Sequence, residues 1–232
     1  MCARHVCTSN GCCARCLEAN QQNALDGRCT TLEEDEQLAS IGGDEAGVYG
    51  EITTVGFRGL AKRLQLGASD TYVDLGSGLG RTVFQAVSEF NVLQAVGIEL
   101  AGSRHELAQH AAMQLSAAVA SRVLLVHGDC SANALWEAGG ACSGVSVVFA
   151  ASLFFGHELM LQLARCVEAC DSCRVVATLK RWDDGEAPVG FREQADPEVC
   201  ETTWTAPVGL TGQVEVEEER EPGCPVHIYR RE

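Results

Sequence analysis

Three acidic residues stand at the ends of three successive apolar runs: Asp74 in "TYVDL", Glu99 in "QAVGIEL" and Asp129 in "RVLLVHGD". The first is followed at once by "GSGLG", where Gly76, Gly78 and Gly80 with Ser77 free the backbone to turn tightly and to approach a ligand at the start of the next helix. A carboxylate just ahead of such a turn repels a pyrophosphate but accepts hydrogen bonds from a cationic amino group. The glycine spacing is GxGxG, with Arg81 where the dinucleotide fingerprint has its last glycine, which argues against a nicotinamide-dependent oxidoreductase. S-adenosylmethionine offers the matching groups. Its amine and sulfonium are positive and suit Asp74, its ribose hydroxyls suit Glu99, and its adenine amino group suits Asp129. Each acid taken alone has a plainer reading as a helix cap, and Asp129 can cap the turn before "SANALW".

For these acids to meet, the runs that carry them must lie side by side. "VGFRGLAKRL" has helical spacing and is broken by "LGASD"; "TYVDL" then reads as a buried strand and "RTVFQAVSEF" as a helix with Val83, Phe84 and Val87 inward. "QAVGIEL" is a second strand, "SRHELAQHAAMQLSAAVA" one long Ala-rich helix, "RVLLVHGD" a third strand and "SGVSVVFAASLFF" a fourth. "HELMLQLARCVEAC" is an amphipathic helix before a fifth strand, "CRVVATLK", and "VCETTWTAPV", "GQVEVEEE" and "VHIYRR" read as extended, antiparallel segments. The alternation predicts an α/β, Rossmann-like fold: a mostly parallel central sheet with helices on both faces and an antiparallel carboxy-terminal strand. Ligands of such sheets sit at the carboxyl ends of the strands, where the glycines and the three acids fall.

The 232 residues suit one domain with an appendage, and 46% hydrophobic against 21% charged residues is a globular balance. A net charge of -15 disfavours phosphate-driven binding to nucleic acid and favours a basic protein or peptide as partner. Thirteen cysteines without an apolar leader point to a reduced, intracellular protein, nuclear or cytoplasmic, and no apolar run is long enough to span a membrane. Residues 1–40 read as a cysteine-rich, loosely structured extension and 41–232 as the domain. Cys13 and Cys16 with His5 have zinc-ligand types but lack a second pair, so no metal is expected; Cys170 and Cys173 lie between a helix and a strand and read as structural. Composition leaves the oligomeric state open.

With these motifs the sequence resembles the class I methyltransferases and, more narrowly, the non-SET histone lysine methyltransferases of the disruptor-of-telomeric-silencing family. "VYGEI" (48–52) is similar to that family's loop over the methionine end of the cofactor, "DLGSGLGR" with "VFQA" to its cofactor motif, and "VVFAASLFFG" (147–156) to its active-site strand and loop. "TTWTAPV" (202–208) is a weaker match. The resemblance implies that Tyr49 and Glu51 help to hold S-adenosyl-L-methionine and that Asp74, Gly76, Ser77, Gly78 and Gly80 line its methionine and ribose. It also implies Gln85 beneath the loop, Glu99 on the ribose, and Asp129 with Cys130 beside adenine. The family's active-site loop carries a pair of asparagines where this chain has Ala151 and Ser152.

The activity implied is transfer of a methyl group to a protein lysine, in the manner of a chromatin regulator. A lysine, with a reference pKa of about 10.4, must first lose its proton, and an apolar channel favours that. Tyr49, Phe154, Phe155, Trp182 and Trp204 are candidates to line the channel, and Tyr49 and Ser152 to act on the acceptor. A small-molecule methyltransferase and a non-catalytic cofactor-binding module remain alternatives on the same fold.

Overall fold

The computed structural model describes residues 27, 30–43, 45, 47–203 and 223–232. Thr31 opens helix α1 (Leu32–Gly42) with a capping box, its side chain accepting from the Glu34 amide while Glu34 reaches back to the Thr31 amide. Residues 32–40 are therefore helical rather than loosely structured, a correction to the boundary at residue 40. Glu33, Glu34 and Asp35 lie in its first turn, where negative charge is favourable. Cys13, Cys16 and His5 lie outside the described residues.

Helix α2 (Thr54–Arg63) is capped by the Thr53 side chain and buries Phe57, Leu60 and Ala61. The sheet begins at β1 (Thr71–Leu75) and continues through α3 (Arg81–Phe90), β2 (Gln94–Glu99), α4 (Gly102–Ala112), a single turn α5 (Ala117–Ala120) and β3 (Val123–His127). The expected long helix is thus two. Ser116 takes extended φ/ψ as the cap of α5, which separates the two helices. A short α6 (Asn133–Trp136) precedes β4 (Val147–Ala150), and then come α7 (His157–Glu168), β5 (Val175–Thr178), β6 (Phe191–Glu193), β7 (Glu198–Cys200) and β8 (Cys224–Arg231).

The strand order is β3-β2-β1-β4-β5-β8-β6, with β7 also paired to β8. β1 to β5 run parallel and β8 is antiparallel to β5. This is the doubly wound, Rossmann-like architecture with an antiparallel end. "VVFA" and "VVAT" are buried at every position because helices cover both faces. Alternate residues serve two cores: Tyr72, Val147 and Phe149 pack with α2 and α3, whereas Val73, Leu75 and Val148 pack with α7. Asp74 keeps step with Tyr72 and so falls on the α3 side. The order reverses between β1 and β4, and the loops after these two strands flank the crevice that such a reversal opens.

Candidate active site

Between β1 and α3 the chain turns with Gly76, Gly78 and Gly80 at φ of +77°, +52° and +75°, conformations that side chains with a Cβ rarely adopt. The Gly76 and Ser77 amides both donate to Ile98 O, which draws the turn over the end of β2. Gly80 caps α3 with no side-chain bond, so the first amides of this helix have no capping side chain. The glycines also let aromatic rings lie against the backbone. A Cβ on Gly78 would fall 2.9 Å from Tyr49 Cε2, and one on Gly76 would fall 3.2 Å from Phe155 Cζ.

Asp74 is buried beneath this turn. Its Oδ2 accepts from the Thr82 hydroxyl of α3, while Oδ1 is buried with no partner among the described residues. Burial pushes its carboxyl up from 3.8 to about 7; the Thr82 bond opposes this, and the negative Glu99 and Glu51 add to it. Glu99 at the end of β2 accepts from Gly78 N (2.8 Å) and Ala101 N (2.9 Å), one bond to each oxygen. Each carboxylate oxygen has a second lone pair, so Glu99 retains the capacity to bind a diol.

The loop "VYGEI" closes over the turn. The Tyr49 hydroxyl donates to Glu51, and Arg81 pairs with the other Glu51 oxygen at 3.1 Å. Burial, then the Glu51 charge, holds the Tyr49 hydroxyl far above its ordinary range, so it remains a donor. The loop is fastened to the segment after β7: Ile52 bridges Thr202, and Glu51 N donates to Thr203 Oγ1. Gln85 donates to Thr54 O, at the start of α2 just after the loop. Trp204 lies outside the described residues.

Tyr49, Gly76, Glu99 and Phe155 share one cavity with Leu38 and Ile41 of α1, which makes that helix a wall of the site. The cavity is about 80 Å³, below the roughly 300–1,000 Å³ usual for ligand pockets. The Tyr49 ring rests on Gly78 and so covers part of the glycine turn.

Other expected residues lie outside that cavity. Asp129 Oδ1 accepts from both the amide and the hydroxyl of Ser131, so this acid caps the turn before α6. Cys130 beside it is buried, and burial raises its thiol far above the usual value. Ser152 is fully buried, with its Oγ accepting from Lys180 N, which makes it a tie between the loops after β4 and β5 rather than a group turned to an acceptor. Trp182 does not line a channel. Its Nε1 donates to Met160 O and its ring meets Tyr229 edge-on at 4.9 Å in the α7 core. Phe154 is half-buried and is not among the cavity residues. Cys173, of the second CxxC pair, has its thiol pushed up to about 12 by burial, which removes the thiolate that ligand or redox chemistry needs. Thr82, which bonds Asp74, and Arg104, which borders the cavity, join the site without having been expected in it.

The fit to S-adenosylmethionine rests on the unpartnered Asp74 oxygen, the bare glycine turn and a carboxylate with spare acceptor sites at the next strand end. Fold and site together define a class I S-adenosylmethionine-dependent methyltransferase. Among solved structures, TrmN from Thermus thermophilus aligns at 17% identity and TM-score 0.51 over 75% of this chain and 48% of its own. The methyltransferase domain of bacterial CtHen1 aligns at 10% identity and TM-score 0.50 over 74% and 93%. An RNA methyltransferase from Salinibacter ruber, crystallised with S-adenosyl-L-homocysteine, aligns at 21% identity and TM-score 0.49 over 77% and 92%. These likenesses concern the fold. No curated protein matches the sequence. The chain belongs to the family described as histone methylation protein DOT1, whose profile matches residues 29–198.

Proposed function

We propose that this methyltransferase modifies a lysine side chain of a protein, with histones as the first substrates to test and a basic non-histone protein as the other possibility. The observation that supports it most is the family match, which spans residues 29–198 and so takes in both the Tyr49 loop and the loop after β4. The net charge of -15 suits a basic polypeptide and opposes a nucleic acid.

Bound S-adenosylmethionine supplies a methyl carbon already activated by a positive sulfur, which leaves the protein to align an acceptor and exclude water. Asp74 Oδ1 would hold its amino-acid end, and Glu99 its ribose. Phe155 and Tyr49 present rings where the crevice opens, an apolar setting that disfavours a charged lysine and favours its reactive neutral form. A small acceptor is a second reading, favoured by one observation: Ala151 and fully buried Ser152 leave no side-chain amide in the loop after β4.

The experiment is incubation of the full chain with cofactor and, separately, core histones, nucleosomes, total RNA and a small-amine panel, followed by mass spectrometry. Methyl-lysine in a protein supports the proposal. Methylated RNA or methylated small amines alone would reject it.

A further inference from the structure

Arg104 is only 5% exposed, although it stands in the first turn of α4. Among the described residues it makes no ion pair, and both of its hydrogen bonds go to backbone carbonyls from distant parts of the chain. Nε donates to Gly27 O at 2.8 Å and Nη2 to Gly47 O at 2.9 Å. Its guanidinium carbon lies 4.8 Å from the centre of the Tyr49 ring, within cation–π range. It also borders the same cavity as Gly76 and Glu99. The preceding residue reinforces the connection: Ser103 donates its amide and its hydroxyl to Glu34 of α1 at 2.6 and 2.9 Å.

We propose that Arg104 is a positioning residue for the cofactor: its planar fork fixes the Gly47 carbonyl and the Tyr49 ring together, and so sets how the Tyr49 loop closes on the glycine turn. The shape of the side chain carries the argument. A guanidinium can bond two carbonyls in its plane while presenting a face to an aromatic ring, whereas a lysine ammonium has neither plane nor fork. A buried arginine with no carboxylate partner among the described residues is a costly way to fill space, since an apolar residue would pack there without desolvating a charge. The role concerns cofactor retention and is independent of which acceptor is methylated.

Three full-length variants test it: Arg104→Met, which keeps volume and loses all donors, Arg104→Lys, and Arg104→Met combined with Tyr49→Ala. Calorimetry with S-adenosyl-L-homocysteine should show affinity falling about 10- to 100-fold in Arg104→Met, the size expected for losing a charged hydrogen bond, with Arg104→Lys between it and wild type. Amide exchange without ligand should quicken at residues 47–52 and stay unchanged in β4, α7 and β5. In a Tyr49→Ala background the Arg104→Met change should cost far less than it does alone, because the two side chains act as a unit. Wild-type affinity in folded Arg104→Met or Arg104→Lys would overturn the proposal. So would quickened exchange throughout the sheet, or full additivity with Tyr49→Ala. If Arg104→Met fails to fold, Arg104→Lys carries the affinity and exchange tests.

Discussion

Asp74→Asn should make the protein more stable and less able to hold its cofactor. The wild-type carboxyl is raised from 3.8 to about 7, so the folded state favours its neutral form. An acid raised in this way leaves stability highest below its unfolded value; stability then falls as pH climbs from about 4 to about 7 and levels off above. A shift of about 3 units at roughly 1.4 kcal/mol each bounds the loss at about 4 kcal/mol by pH 8. Asparagine never ionises, and its carbonyl can still accept from Thr82, so the variant escapes that loss. Urea unfolding from pH 4 to 8.5 should give similar stability for both proteins at the acid end. At pH 8 the variant should be ahead by a few kcal/mol, or by about 5–10 °C in thermal midpoint for a chain of this size. Calorimetry should meanwhile show about 100-fold weaker S-adenosylmethionine binding, because the amine loses its charged acceptor. In the wild type at pH 7, where the carboxyl is about half protonated, binding should also release about half a proton, read as a dependence of the heat on the buffer's ionisation enthalpy. A variant that is less stable than wild type at pH 8, or one that binds cofactor equally well, would refute this account of the buried carboxyl.

Three further outcomes are expected. Glu99→Gln replaces an acceptor of two buried amides by a group with one acceptor oxygen, and should cost about 1–3 kcal/mol in urea unfolding together with a measurable part of cofactor affinity. Trp182→Phe loses the bond to Met160 O and some core volume. It should cost about 2–3 kcal/mol while methyl transfer per folded molecule stays within twofold, as a channel residue would not allow. Asp70 bonds Arg174 through both oxygens, at 3.0 and 2.9 Å; burial alone would raise its carboxyl, but the bonds from Arg174, Ser146 and Gly67 hold it below 3.8. Its stabilisation is present above about pH 4 and lost as pH falls through the lowered value. Arg174 is 35% exposed, so solvent screening trims the effect of Asp70→Asn to about 1–2 kcal/mol by denaturant titration at pH 7.

The parallel core was legible because its strands are short apolar runs closed by glycine or a charge. "RTVFQAVSEF" could be read to the residue, because Gly80 and Asn91, both left-handed, bound the helix. The acids at the strand ends were legible for the same reason, since order along the chain becomes order across a parallel sheet. What a side chain meets across the fold was not. Arg104 takes its acceptors from carbonyls 77 and 57 residues away, and no local pattern announces such a pairing. Trp182 looks the same in sequence whether it lines a channel or packs on Tyr229. The start of α1 is a local signal, because "TLEE" carries the Thr31–Glu34 capping box, and the cap reading of Asp129 is borne out by its bonds from Ser131.

The measurement that tests the central claim most directly is a crystal structure of the full chain with S-adenosyl-L-homocysteine. The account predicts the ligand's amino group hydrogen-bonded to Asp74 Oδ1, its ribose hydroxyls on Glu99, and the Tyr49 loop folded over its amino-acid end. A ligand bound elsewhere, or one in this crevice that leaves Asp74 Oδ1 without a partner, would contradict it.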